Sequence, residues 1–198
     1  MDSRKAEDML SALGDVLEEQ EIGPVDIVIC GAMALLLQGI IDRPTRDIDS
    51  LGLVVEENGS LVLRKPLVSN EFKAAVERVG SLFNEGEHWF STAAISLHDD
   101  TELPADLAER AQVRRYGTRL TVRLCSRPHM VCLKMWAAIA RGEPDIGDLG
   151  DMKVSKEEAE AAALWCLEQD GEVLPEILAV LKEVGHGDLA ERLDRDNR

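Results

Sequence analysis

The sequence predicts an α+β fold in which a small mixed sheet is followed by a lobe of helices. Up to Cys125, short apolar runs of strand length alternate with amphipathic segments that have helical spacing. Beyond Ser126, the apolar residues recur at helical spacing. A chain of 198 residues that is 45% hydrophobic can form one sizeable core or two small ones. We therefore expect a sheet-containing part over residues 1–125 and a helical lobe over residues 126–198.

The first part contains segments with helical periodicity and strand-forming runs between them. The predicted helices cover residues 3–20, 32–37, 69–83 and 103–114, and the predicted strands cover residues 25–30, 60–64, 89–97 and 118–125. One further strand carries Asp47. The sequence Glu-Glu-Asn-Gly at 56–59 is a turn signal, which predicts that the Asp47 strand and the next strand form a hairpin.

The second part is predicted to be helical throughout. Helices are expected over residues 126–141, around Asp145 and Asp148, and over residues 155–168, 173–184 and 188–193. Ser155 and Glu158 have the spacing of a capping box, which predicts where the third of these helices begins.

The most informative stretch is 27–54, IVICGAMALLLQGIIDRPTRDIDSLGLV. Its apolar run ends at Gly31, where a strand is expected to pass into a helix and to offer backbone N–H groups to a phosphate. A Pro-containing turn then leads to Asp47-Ile48-Asp49. Alternate side chains of a strand share a face, so Asp47 and Asp49 are expected on one face with Ile48 buried behind them. Two carboxylates on the same face of a strand repel each other, and a bound cation between them would relieve this repulsion.

This stretch resembles the first signature of the nucleotidyltransferase superfamily, in particular its bacterial toxin-like branch of AbiEii-like and related families. The resemblance is carried by Gly31-Ala32-Met33-Ala34, Gly39, Arg43-Pro44-Thr45-Arg46 and Asp47-Ile48-Asp49. It implies a polymerase-β-like nucleotidyltransferase fold, Mg²⁺ and NTP as cofactors, and transfer of an NMP to an acceptor hydroxyl. It further implies that Asp47 and Asp49 are catalytic and hold the metal, and that Gly31, Ala32 and Arg46 bind the nucleotide. Ala32 departs from the pattern, which has Gly or Ser at this position.

A second resemblance begins at Lys134, the one residue between 130 and 140 that is not apolar. Lys134 is followed by Arg141, Asp145 and Asp148, an order that is similar to the second signature of the same branch. The resemblance implies that Lys134 and Asp148 are catalytic and that Arg141 and Asp145 bind the nucleotide. In the alternative interpretation, Lys134 only snorkels, and Lys134→Met would then be neutral or stabilising.

The formal charge of −16 argues against general nucleic-acid binding, but the charge is unevenly distributed. Residues 111–142 contain no Asp or Glu and carry +7, which leaves −23 for the rest. This basic strip consists of Arg114, Arg115, Arg119, Arg123, Arg127, Lys134 and Arg141. We expect it to contact the phosphates of an RNA acceptor, and the resemblance points to a tRNA end. The arginines of 118–125 are equally explained as protection of an edge strand.

Cellular location and partners are predicted from composition. The longest apolar run is shorter than the ~20 residues that a membrane span needs, and the first residues, MDSRKAEDML, lack a signal-peptide core. The cysteines lie far apart without the spacing of a zinc site, at positions Cys30, Cys125, Cys132 and Cys166. We expect a cytoplasmic protein with reduced thiols and no membrane contact. The toxin-like branch also implies an antitoxin protein as partner.

The resemblance lacks one expected carboxylate. Many nucleotidyltransferases carry a third carboxylate on a later strand, and residues 118–125 contain none. Asp145 or Asp148 is the first substitute, and Asp99 or Asp100 is a weaker one, since His98-Asp99-Asp100 has the composition of a turn.

Without a third carboxylate, and with Ala32, the chain would be a catalytically lapsed relative that binds a nucleotide or a protein. The other alternative is an acidic interaction protein whose Asp-x-Asp is a solvated turn.

Overall fold

The computed structural model describes residues 1–65 and 67–197, without the side chains of Ile95 and Asp100. The chain divides into two compact units, Met1–Ser126 and Arg127–Arg198. We call them the sheet unit and the helical unit.

The sheet unit begins with a long helix and alternates strands with mostly short helices. Its elements are α1 (Ser3–Glu19), β1 (Val25–Cys30), α2 (Gly31–Leu37), β2 (Ile48–Glu57), β3 (Ser60–Arg64), α3 (Asn70–Phe83), β4 (Phe90–Ser91), α4 (Leu97–Asp100), α5 (Leu107–Arg110), β5 (Gln112–Tyr116) and β6 (Leu120–Leu124). Two 3₁₀ segments, Glu87–Trp89 and Ala93–Ser96, flank β4.

The strands form one mixed sheet in the order β3-β2-β1-β6-β5, and β4 pairs with β2 outside this path. β1 is antiparallel to β2 and parallel to β6, while the pairs β2–β3 and β5–β6 are antiparallel. The predicted class, α+β with a small mixed sheet and helices, is confirmed. Because β2 runs opposite to β1 and β6, its amino end meets the carboxyl ends of both at one edge of the sheet.

The first helix packs on the sheet through its apolar face. Met9 and Leu13 are fully buried, and α1 contacts β5 and β6. A glycine permits this close approach, because a Cβ at Gly14 would lie 2.4 Å from the carbonyl oxygen of Tyr116. Residues 27–30 of β1 are all buried, as expected of a strand that is covered on both faces.

The strand predicted over residues 89–97 is mostly wrong, since β4 ends at Ser91 and helical turns follow. Phe90 stays in β4, and both Trp89 and Phe90 pack against α3. Phe90 meets the ring of Phe72 edge-on at 5.6 Å, and the Trp89 indole donates a hydrogen bond to the Val76 carbonyl at 2.8 Å. The predicted turn at 98–100 is likewise wrong, because these residues belong to α4.

The helix predicted over residues 103–114 is also wrong except at Leu107–Arg110, which forms α5. Residues 112–116 form β5, which pairs antiparallel with β6 and places Val113 opposite Arg123. Pairing with an available strand outweighs the weak helical pattern, because strand formation depends on tertiary context more than on local preference.

The helical unit contains the predicted helices in the predicted order. They are α6 (Arg127–Arg141), α7 (Asp145–Asp151), α8 (Lys156–Gln169), α9 (Leu174–Glu183) and α10 (Gly187–Asp196), with a 3₁₀ segment at Gly171–Val173. The capping box is confirmed, since the Glu158 amide donates to the Ser155 hydroxyl at 3.2 Å and the Ser155 amide donates to the Glu158 carboxylate at 2.9 Å. Within residues 1–65 and 67–197, no helix has the length and apolar character needed to cross a membrane.

Candidate functional site

The candidate site lies at the sheet edge where β1 passes into α2. Gly31 has φ of +72°, a conformation that favours glycine. A Cβ on Gly31 would stand 2.7 Å from Oδ2 of Asp49, so any other residue here would require this carboxylate to shift. The backbone of β1 and the side chain of Asp49 are therefore in direct proximity. We call this region the Gly31–Asp49 edge.

Asp47 and Asp49 stand on either side of Ile48 as the alternation predicts. Ile48 is fully buried, whereas both aspartates are half-buried. Ile48 and Asp49 begin β2, and Asp47 precedes it by one residue. The interpretation of Asp-x-Asp as a solvated turn is therefore wrong.

Asp49 has a strand neighbour on each side. It is in register with Cys30 of β1 and with Ser91 of β4. Residues that are paired across neighbouring strands share a face, so the Ser91 side chain lies on the side of the sheet that carries Asp49. The hydroxyl of Ser91 accepts a hydrogen bond from the Ala93 amide at 3.1 Å. Sequence reasoning missed Ser91 because its strand is only two residues long.

His98 was also missed as a residue that supports β2. The register between β1 and β2 shifts at Val28/Ile29, which marks a β-bulge around Leu51. Nε2 of His98 lies 2.6 Å from the Leu51 carbonyl oxygen. A carbonyl only accepts, so Nε2 carries the proton in this contact. His98 thereby satisfies a backbone group between the parts of β2 that pair with β4 and β3.

The donor set at the edge suits Mg²⁺. Mg²⁺ is usually held by one or two carboxylates, with phosphate oxygens and water completing its octahedron. Asp47 and Asp49 supply two carboxylates, and the Asp49 carboxylate lies next to the space that a Cβ on residue 31 would take. No cluster of three or more His, Cys, Asp or Glu side chains suited to a metal occurs within the described part of the chain. Most ligands of an ion at this edge would therefore come from the substrate.

The two other nucleotide-binding candidates of the sheet unit differ in exposure. Ala32 is half-buried at the start of α2, and Arg46 is exposed. The approach to Asp47 is held at Thr45, whose amide donates to the Met1 carbonyl at 3.0 Å and whose carbonyl accepts from the Met1 ammonium at 2.6 Å. A cavity of about 490 Å³ lies beside this approach and is lined by Arg43 among others, but not by Gly31, Asp47 or Asp49.

Lys134 lies in the helical unit, within a cluster of buried charges. Its Nζ is 2.7 Å from Asp145 Oδ1 and 2.6 Å from Asp148 Oδ2. The side chains of these three residues are 8%, 1% and 0% exposed, respectively. Arg141 donates to the second oxygen of Asp145 at 2.8 Å. The snorkelling interpretation of Lys134 is wrong, because its ammonium pairs inside the protein and does not reach water.

The second motif is thus brought together by local geometry. Lys134 and Arg141 are seven residues apart on α6 and share a face, and Gly142 with φ of +70° reverses the chain after the helix. Asp145 and Asp148 then share one face of α7. Two cations and two carboxylates cancel in formal charge.

The structure gives no support to Asp99 or Asp100 as the third carboxylate. Asp99 forms an ion pair with Lys65. The side chain of Asp100 lies outside the described residues.

The basic strip is largely neutralised by acids from elsewhere in the sequence. In the sheet unit, Arg114 pairs with Glu7, and Arg123 forms two 2.8 Å hydrogen bonds to Asp26. In the helical unit, the corresponding pairs are Arg127 with Glu158, Lys134 with Asp145 and Asp148, and Arg141 with Asp145. The segment therefore does not present its charge of +7 as a free cationic surface.

Two side chains that contact members of these pairs or belong to them, Glu158 and Tyr116, have shifted pKa values. The hydrogen bond from Arg127 lowers the pKa of Glu158. Burial, and then the hydrogen bond to Glu7, raises the pKa of Tyr116, whose hydroxyl donates to Glu7 at 2.6 Å.

All four cysteines are free thiols. Burial raises the pKa of Cys132 to about 11 and that of Cys166 to about 12, so both thiols stay protonated at neutral pH.

Comparison of the chain with family models, with curated proteins and with solved structures gives no match.

Proposed function

We propose that the Gly31–Asp49 edge binds an NTP with Mg²⁺ and transfers its NMP to an acceptor hydroxyl, on a nucleotidyltransferase fold of the toxin-like branch. One observation carries this proposal. The half-buried carboxylate of Asp49 near the start of β2 lies against the positive-φ Gly31, and Asp47, which is also half-buried, stands two residues before it. This arrangement brings two oxygen donors and the backbone of a strand-to-helix turn to one edge of the sheet.

In this proposal the chain acts by binding and orienting. Asp47 and Asp49 would hold Mg²⁺, and the amides at Gly31 and Ala32 would donate to the terminal phosphates. The ion supplies electrostatic stabilisation of the charge that develops on the phosphoryl oxygens. The acceptor oxygen bonds to the α-phosphorus, the bond to the β-phosphate oxygen breaks, pyrophosphate leaves, and the hydroxyl proton passes to a carboxylate or to water.

The helical unit receives a structural role in this proposal. Lys134, Arg141, Asp145 and Asp148 are catalytic or nucleotide-binding by resemblance, yet their charges satisfy one another. Breaking a buried pair leaves an uncompensated charge, which opposes any mechanism that withdraws Lys134 from its two aspartates. We therefore assign the chemistry to Asp47 and Asp49.

A nucleotide-binding module without transfer is the second candidate. It is favoured by the strand neighbours of Asp49, which are Cys30 and Ser91 and supply no third carboxylate. Without that group, binding of Mg²⁺ and NTP would remain while activation of the acceptor would be lost.

The acceptor and the protein partner are proposed on the resemblance alone. An RNA end, in particular that of a tRNA, remains the proposed acceptor, and an antitoxin remains a proposed partner. The ion pairs of the basic strip lead us to expect weak, salt-sensitive RNA binding that relies on few arginines, among them the exposed Arg115.

The test of this proposal is incubation of the purified chain with α-³²P-labelled NTPs, Mg²⁺ and total RNA. We expect label in RNA with the wild type and none with Asp47→Asn or Asp49→Asn. Asp15→Asn, which removes the same charge from the exposed side of α1, is the control and should retain activity. Label in the protein alone would identify a side-chain hydroxyl as acceptor. No label in either fraction would refute transfer and favour the binding module.

A further inference from the structure

A second feature of the sheet unit is a cavity of about 550 Å³ beside β3. One wall consists of residues 60–63, and the other contains His98, residues 103–106 and Glu109. Four consecutive strand residues line it, whereas a pocket over one face of a sheet would be lined by alternate residues. The cavity therefore runs along the edge of β3 that faces away from β2, and we call it the β3 groove.

The backbone of β3 offers hydrogen-bonding groups to this groove. β3 is the last strand at its end of the sheet, and the two-residue turn Asn58-Gly59, with φ of 53° and 82°, has the positive angles of a type I′ hairpin. Such a turn is closed by a hydrogen-bonded pair, here Glu57 and Ser60, and the pairs alternate from there. Leu61 and Leu63 therefore direct their N–H and C=O groups away from β2. Among the described residues, no backbone hydrogen bond links either of them to a segment outside the sheet.

The side chains of the groove are apolar and acidic. Leu61, Val62 and Leu63 are only half-buried, and Leu103, Pro104 and Ala105 face them from the opposite wall. Glu109 supplies negative charge to the groove, while Asp106 is ion-paired with Arg110 at 3.4 Å.

The cations that follow the strand do not offset this charge. Arg64 is paired with Glu57 at 2.6 Å, and Lys65 is paired with Asp99. A positively charged segment would therefore meet no free cation from this end of β3.

We propose that the β3 groove binds an extended, lysine- or arginine-containing segment of a partner protein, which adds to β3 as a further strand. Backbone hydrogen bonds from Leu61 and Leu63 hold the segment, alternate apolar side chains contact the leucines, and its cations face Glu109. A second copy of this chain fits poorly, because each copy carries a net charge of −16 and would bring the same acidic wall to the contact. The proposal does not depend on nucleotidyl transfer.

The experiment uses the full chain and two fluorescein-labelled peptides, three Lys-Val repeats and three Lys-Pro repeats, in fluorescence anisotropy titrations. Both peptides carry the same charge, but proline lacks the N–H that a strand must donate. The valine peptide should bind at least about tenfold tighter than the proline peptide. Equal affinities, or no binding of the valine peptide, would overturn the proposal.

Two variants of the protein sharpen the test. Leu61→Pro removes an N–H that points into the groove and leaves the β2–β3 ladder intact. It should lower the affinity for the valine peptide about tenfold without lowering the melting temperature of the protein. If this variant does not fold, Glu109→Lys replaces it and should lower the affinity for the valine peptide. The control is Glu191→Lys, which changes the charge equally at an exposed position of α10 and should leave the affinity unchanged. Unchanged binding by Glu109→Lys would overturn the proposal, and so would an equal loss with Glu191→Lys, which would indicate general charge attraction. A dimer of the free chain that Leu61→Pro dissociates would assign the groove to a second copy and overturn the proposal.

Discussion

The two aspartate pairs of this chain have similar spacing in the sequence and opposite surroundings in the structure. Asp145 and Asp148 are 1% and 0% exposed, and the ammonium of Lys134 lies between them. Asp47 and Asp49 are half-buried, and Asp49 lies beside Gly31. A fully buried pair is closed to a ligand from solution, whereas a half-exposed pair is accessible to one. Spacing alone therefore does not distinguish a structural carboxylate pair from a metal-binding one.

The largest effect expected from this comparison is on stability. Lys134→Met should lower the free energy of unfolding by about 3–5 kcal/mol, because two buried carboxylates lose their cation. This expectation replaces the neutral or stabilising outcome that a snorkelling lysine would give. Arg141→Met is the control and should cost at most about 1 kcal/mol, since the Arg141 side chain is 66% exposed. Urea denaturation measures both changes. Equal stability of Lys134→Met and the wild type would contradict the ion pairs.

A second pair of variants examines the glycine on which Asp49 depends. Gly31→Ala and Gly39→Ala force alanine to adopt positive φ angles of +72° and +68°, respectively. Each should lower the free energy of unfolding by roughly 1–2 kcal/mol. A Cβ at Gly39 meets nothing within 4 Å, whereas one at Gly31 meets the Asp49 carboxylate. We therefore expect that only Gly31→Ala abolishes stabilisation by Mg²⁺ and ATP in a thermal shift assay. Loss of the response in both variants would attribute it to backbone strain.

The smallest predicted effect concerns pH in the helical unit. Arg127 holds the pKa of Glu158 below its unfolded value of 4.5, so this pair stabilises the fold above pH 4.5 and the contribution is lost as the pH falls through the lowered pKa. Glu158→Gln keeps the capping box and should cost about 0.5–1 kcal/mol at pH 7. Near pH 3 the difference from the wild type should shrink. A difference that is independent of pH would contradict an ionic contribution.

Much of the fold was predictable because the signals are local. The strand at 25–30, the hairpin turn at 58–59 and the Ser155 capping box each depend on a few neighbouring residues, and each is present. The strand predicted at 89–97 failed beyond Ser91, because residues 93–100 form helical turns that their apolar pattern did not indicate.

The candidate site was predictable in part for the same reason. The alternation of Asp47, Ile48 and Asp49 is local, and so is the glycine that precedes α2. The basic strip was misjudged because Arg123 and Asp26 are 97 residues apart in the sequence and meet only when β6 pairs with β1. The contact between His98 and Leu51 is likewise non-local, since 47 residues separate them.

A thermal shift measurement shows whether Asp47 and Asp49 bind Mg²⁺ together with an NTP. With ligand about a hundredfold above its Kd, the melting temperature of the wild type should rise by roughly 5–10 °C when Mg²⁺ and NTP are added together. Asp47→Asn and Asp49→Asn should remain folded and lose this shift, while Asp15→Asn should keep it. A shift that survives in both edge variants, or its absence in the wild type with every NTP, would contradict the assignment of the Gly31–Asp49 edge.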